Sequence, residues 1–152
     1  MSDATKPPSM REQLEAELAA AKAANAGHVA ARAERAEIAA IRESIAREKN
    51  ALRDAPEIEK AELEHGIDKI AIITTLLGAI VVKRPHMASY RRFQDEAKSK
   101  SEDVIKLVRP CVVYPAAAEL DRILSEQPGV LARLADAVAT LADAAAEERR
   151  GK

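Results

Sequence analysis

The sequence is poor in most of the residues that build a chemical site. Of its 152 residues one is a cysteine, Cys111, so no disulfide can form within the chain. No apolar core that could serve as a secretory signal lies between Met1 and Ser9, and together these features predict a cytoplasmic protein. Tryptophan is absent and the aromatics number three, Tyr90, Phe93 and Tyr114, too few to line a large aromatic pocket. The glycines Gly27, Gly66, Gly78, Gly129 and Gly151 stand singly, which excludes a glycine-rich phosphate loop. The histidines His28, His65 and His86 are far apart, and none has a metal-ligand spacing to another or to Cys111. Basic and acidic side chains, 24 against 25, cancel to −1, which disfavours a globally basic nucleic-acid binder. The longest apolar stretch, 70 to 82, is broken by Thr74 and Thr75 and falls short of the roughly 20 residues a spanning helix needs. No membrane span is expected.

What the chain has in abundance is alanine, 33 residues of it, with glutamate, arginine and leucine. After a polar leader over 1–9 that includes Pro7 and Pro8, Ser9 followed by Glu12 has the spacing of a capping box. No proline follows until Pro56, so a long helix is predicted over 10–55, with Pro56 ending it and 56–66 forming a linker or a short helix. The large aliphatics of this helix are sparse: Leu14, Leu18, Val29, Ile38, Ile41, Ile45 and Leu52. Ile38, Ile45 and Leu52 recur every seven residues with Ile41 between, a short coiled-coil seam. Backwards the same register falls on Glu34, Ala31, Gly27 and Ala24, so the seam does not continue.

From Gly66 to Ala145 aliphatic residues are about twice as dense, which places the core in a compact C-terminal domain over 67–147. The run 70–84 is rich in Ile, Val and Thr around Leu76, Leu77 and Gly78, and this clustering favours a β-hairpin over a buried helix segment. Four helices follow, over about 89–99, 101–113, 116–126 and 128–147, punctuated by Pro110, Pro115 and Pro128. Ser89 and Ser101 are the expected caps of the first two. The fold class is therefore mainly α with a small β-hairpin.

Catalytic signals are lacking. Cys111 shares an apolar helical face with Val108 and Val112, where burial blunts a thiol, and this outweighs a nucleophile pair with His86. Carboxylates alternate with cations one helical turn away, as Glu43 does with Arg47, the pattern of a solvated face. No enzyme, cofactor or metal is expected. One segment carries local charge: Lys83, Arg84, Arg91, Arg92, Lys98, Lys100, Lys106 and Arg109 stand against Asp95, Glu96, Glu102 and Asp103. Tyr90 and Phe93 lie inside it, yet their i, i+3 spacing reads as core rather than as a base-stacking platform, so an acidic protein partner is favoured over nucleic acid.

The phrases Gly78-Ala-Ile-Val-Val-Lys-Arg-Pro85, Tyr90-Arg-Arg-Phe-Gln-Asp95 and Leu107-Val-Arg-Pro-Cys-Val-Val-Tyr-Pro115, followed by the Leu-rich stretch from Leu120 to Gly129, resemble tail assembly chaperones of long-tailed bacteriophages and phage-like particles. The resemblance covers about residues 66–142 and leaves the long helix outside it. It implies a non-enzymatic protein that binds the tape measure protein, and by extension meets the tail tube protein, keeping the tape measure soluble in the host cytoplasm while tail tube subunits polymerise around it. Client contact is expected either on Ile38, Ile41, Ile45 and Leu52 or on the basic surface at Arg91 and Arg92. The alternative reading is a cytoplasmic helical adaptor that forms a homo-oligomer through its N-terminal helix.

Overall fold

A computed structural model describes residues 6–96 and 100–151. It divides into two compact units, Met1–Ser44 and Ile45–Lys152. One helix, α1 (Met10–His65), supplies most of the first unit and continues into the second. The second then adds β1 (Ile70–Thr75), β2 (Gly78–Lys83), α2 (Met87–Glu96), α3 (Ser101–Val108), β3 (Val112–Tyr114), α4 (Ala117–Glu126) and α5 (Val130–Arg150). The architecture is mainly helical with a small antiparallel sheet, as the sequence predicts. Among the described residues, no helix is long and apolar enough to cross a membrane.

The capping box forms at the start of α1. The Ser9 amide donates to Glu12 Oε2 at 2.7 Å and the Glu12 amide to Ser9 Oγ at 3.3 Å, so two amides without intrahelical partners are satisfied reciprocally. Of the expected leader, residues 1–5 lie outside the described residues, and Lys6 to Ser9 are non-helical and exposed.

Pro56 does not end the helix. The expectation of a break at 55 and a linker over 56–66 is corrected: the helix runs through Pro56 to His65. A proline in this position removes one hydrogen bond to the carbonyl four residues back, here Leu52, a loss of about 3 kcal/mol in an unsupported helix. Here both flanks are held. Asn50, Arg53 and Asp54 are bonded to the hairpin on one side of the proline, while Ile58 and Ala61 pack against Ile70 and Val81 on the other. Tertiary packing therefore outweighs the missing bond.

The hairpin has a two-residue loop, Leu76–Leu77, with Ile73 paired to Ile80 and Thr75 to Gly78. Thr75 Oγ1 closes it, donating to the Gly78 carbonyl at 2.7 Å and accepting from the Leu77 amide at 3.1 Å. The expectation of a hairpin alone is corrected to a three-stranded sheet ordered β1-β2-β3. The helix expected over 101–113 stops at Val108, because Pro110 turns the chain through a short 3-10 segment, Arg109–Cys111, and the β-branched pair Val112-Val113 then extends along β2. A register irregularity between Val81 and Val82 accommodates this third strand, and the Tyr114-Pro115 bond is cis. Smaller shifts occur at helix starts. Ser89 sits inside the first turn of α2, which starts at Met87 with the Tyr90 amide bonded to the His86 carbonyl, and Lys100 rather than Ser101 holds the cap position of α3. The end expected for the first of these helices, 97–99, lies outside the described residues.

The central strand β2 is buried from Gly78 to Val82, and side chains alternate across it. Ile73, Ile80 and Val82 enter the main core with Leu107, Val108, Leu120, Ile123, Leu134, Val138 and Leu141. Ile70 and Val81 point the other way, onto Ala61 and Ile58 of α1. β2 is thus sandwiched between the C-terminal part of α1 and the layer of α3, α4 and α5, which is why it reads as an unbroken apolar run, whereas β1 leaves Ile72 and Thr74 exposed.

Candidate protein-binding surfaces

Every described residue from Lys6 to Lys49 is exposed. Within the first unit this includes Leu14, Leu18, Val29, Ile38 and Ile41, the last at 60 % exposure. A helix with no packed face draws its stability from alanine-rich propensity and from pairs such as Arg11–Glu15 at 2.8 Å. In the second unit Ile45 is exposed at 49 % and Leu52 at 78 %. All four aliphatic residues singled out from the sequence are therefore open to a partner.

Beyond Lys49 the environment changes abruptly at a polar clamp. Asn50 Nδ2 donates to the Leu76 carbonyl at 2.9 Å and Arg53 Nη2 to the Leu77 carbonyl at 3.0 Å, gripping the hairpin loop. Asp54 is fully buried, yet its oxygens accept from the Ala79 amide at 2.8 Å, from Tyr114 Oη at 2.7 Å and from Arg53 Nε at 2.9 Å. Burial alone pushes this carboxyl up. The bonds from Arg53, Tyr114 and Ala79, with the Arg53 charge, overcome that and hold it below its ordinary value. Tyr114 is shifted upward, first by its bond to the Asp54 carboxylate and then by burial. With its lone pairs engaged, Asp54 works as a structural pin between helix and sheet.

Gly78 makes the clamp possible. Its φ is +137°, and a Cβ there would collide with Arg53 Nη2 and lie 3.0 Å from Asp54 Oδ2. Only glycine lets the β2 backbone come this close to the buried carboxylate.

The basic segment does not form one patch. Arg84 is tied to Glu148 by two bonds, 2.9 and 2.8 Å, Arg109 to Asp121 at 2.8 Å, and Arg92 to Glu96 at 3.4 Å. Arg91 and Arg92 are exposed neighbours that line different depressions. Arg91 shares a surface pocket with Arg84, His86 and Arg149, whereas Arg92 borders a cleft between α2 and α3 with Phe93, Asp103 and Lys106. Lys98 lies outside the described residues. Tyr90 is buried and Phe93 packs against the main core, so both rings are engaged as their spacing predicts.

Cys111 is 3 % exposed, with Sγ donating to the Leu107 carbonyl at 3.4 Å; burial pushes its thiol up, only partly offset by the Lys83 charge. Among the described residues no group of His, Cys, Asp and Glu has a metal-holding arrangement. The clamp was invisible to sequence reasoning, since Arg53 and Asp54 stand where the proline predicts a helix end. The one local hint is an Asn-x-x-Arg-Asp run adjoining that proline. No family model, no curated protein and no solved structure matches the chain.

Proposed function

We propose that this chain is a binding protein of the tail assembly chaperone type, which engages a tape measure protein in the cytoplasm and keeps it soluble during tail tube assembly. The observation that carries the reading is the exposure of every described residue from Lys6 to Lys49, large aliphatics included. An extended helical client has apolar stripes of its own. Covering each Ile or Leu on either side is worth roughly 1.5–3 kcal/mol, so a few contacts per copy give a weak, reversible interaction that many copies make effective. The identity of the client rests on the resemblance over residues 66–142. Ile38, Ile41, Ile45 and Leu52 are the contact residues of first choice, and Arg91 and Arg92 offer a separate surface for an acidic segment.

Co-expression with the tape measure protein of the same tail tests this. The client becomes soluble and travels with this chain, and Ile38→Lys with Ile41→Lys abolishes the association. A client that precipitates alone while this chain stays soluble sinks the proposal. The second reading, a helical adaptor that oligomerises through its N-terminal helix, is supported by the seven-residue recurrence of Ile38, Ile45 and Leu52. It requires that Ile38→Lys with Ile45→Lys dissolve the oligomer of a chain that stays folded.

A further inference from the structure

Between the start of α2 and the end of α5 lies an open pocket of about 600 Å³. Arg84, in the link from β2 to α2, is its most buried cation, and it holds Glu148 in the last turn of α5 by two bonds, 2.9 and 2.8 Å. That pair fastens the end of α5 beside the start of α2, so that Arg149, the next residue, lines the same opening as Arg91. Helical spacing does the rest. Ala88 and Arg91 are three residues apart and Ala145 and Arg149 four, so each helix turns one alanine and one arginine to the pocket. With Pro85 and Met87, the two alanines give the pocket an apolar lining between its cations.

The charges of this pocket do not cancel. Arg84 is engaged by Glu148, and Asp68 adds to the negative field around it. Arg91 and Arg149 are exposed, and among the described residues neither takes part in an ion pair. Arg92, by contrast, is paired with Glu96 and borders the cleft on α3. Two guanidinium groups that share one opening repel each other, and an anion between them relieves that repulsion.

The surroundings choose among anions. A nucleic-acid strand needs a track of cations and rings for its bases, whereas here two cations are free, Tyr90 is buried and Phe93 packs on the core. A phosphate cradle of the glycine-rich kind has no counterpart, since no glycine lines the pocket. Carboxylates suit the site, as the two-pronged seating of Glu148 on Arg84 demonstrates. We propose that this pocket docks an acidic segment of a partner protein, with one carboxylate on Arg91, a second on Arg149 and an aliphatic side chain between them over Ala88 and Ala145. The inference rests on the reading of this chain as a binding protein and narrows its basic surface to Arg91 without Arg92. It uses neither the exposed arm nor the identity of the client.

Fluorescence anisotropy of a labelled peptide, Glu-Leu-Glu-Leu-Glu, titrated with the full chain at low salt tests it, with circular dichroism to confirm folding. The peptide binds saturably, and its counterpart with glutamine in place of glutamate does not. Arg91→Glu with Arg149→Glu weakens binding at least about tenfold, whereas Arg92→Glu changes it less than about twofold. The double variant binds a peptide of alternating lysine and leucine instead, which a merely unfolded pocket does not do. An acidic peptide that fails to bind overturns the proposal. Equal loss with Arg92→Glu overturns it as diffuse attraction, and so does loss with Ile38→Lys and Ile41→Lys, which places the segment on the arm. A single-stranded oligonucleotide or inorganic phosphate that binds these two arginines more tightly than the peptide overturns it as well. No tape measure protein enters this assay, so a failed co-expression leaves its result standing, and an unbound peptide leaves the reading of the arm untouched.

Discussion

The Tyr114 hydroxyl donates to Asp54 Oδ1 at 2.7 Å, joining residues 60 positions apart and tying the last strand of the sheet to the helix that crosses it. The bond is charge-assisted and its acceptor is fully buried, so its loss is costly. Tyr114→Phe lowers unfolding stability by about 1.5–3 kcal/mol. Asp54→Ala costs more, about 2–4 kcal/mol, because it leaves both the buried Ala79 amide and the Tyr114 hydroxyl without their acceptor, while the half-exposed Arg53 turns to water. Urea unfolding followed by circular dichroism measures both, and equal effects would mean that Tyr114 alone carries the clamp.

The same pair sets the pH range of stability. The Asp54 carboxyl is lowered in the folded state, so its contribution is fully present above the ordinary value near 3.9 and is lost as pH falls through the folded value. The Tyr114 hydroxyl is raised, so its contribution is present below about 10 and disappears as pH rises through the folded value. Stability therefore falls at both extremes. Asp54→Asn flattens the acid limb and Tyr114→Phe the alkaline one, read as the urea midpoint against pH.

Glycine replacements separate two roles. Gly78→Ala forces a side chain into a backbone with φ +137° and against Arg53 and Asp54, a loss of at least about 1–3 kcal/mol. Gly27→Ala, in open helix with nothing within 4 Å of the new Cβ, raises helix stability by up to about 1 kcal/mol. Gly78→Ala lowers the thermal midpoint of the Ile45–Lys152 unit, whereas Gly27→Ala leaves that midpoint in place and raises the helical ellipticity of the arm.

Removing residues 1–44 leaves a folded unit. The core residues from Asp54 onward and all strand pairings lie within Ile45–Lys152. The truncated chain keeps the cooperative thermal transition of that unit while losing helical ellipticity in proportion to the arm. A truncation that unfolds would show that the arm stabilises the domain and does not merely extend from it.

Local chemistry was legible wherever it decided the outcome locally. Ser9 and Glu12 announce the start of α1, Ile-Val-Thr clustering gives the hairpin, and Leu134, Val138 and Leu141 are core as their spacing requires. The buried residues of the last helix also include Val130 and Ala142, while Leu131 and Ala145 are half-buried, because the helix faces both sheet and α3. Reading Pro56 as a stop failed, because what overrides its missing amide is contact with residues 20 or more positions away. β3 was hidden for a related reason: three residues between two prolines carry no periodicity, and only the partner strand makes Val112 to Tyr114 extended. Of the candidate contact residues, the exposure of Ile38, Ile41, Ile45 and Leu52 followed from their sparseness. The division of Arg91 and Arg92 between two depressions depends on how α2 meets α3 and α5, which the sequence does not state locally.

The continuity of α1 through Pro56 bears on how its exposed part becomes ordered. The costly event in making a helix is fixing the first turn, after which each residue is added at little expense. For the exposed stretch that turn already exists, because Asn50, Arg53 and Asp54 anchor the helix on the sheet. The domain acts as a permanent nucleus, and residues toward Met10 are recruited one at a time from that end. Order along the stretch is accordingly graded: amides nearest Asn50 are the last to exchange, and the Ser9–Glu12 box closes the far end against fraying.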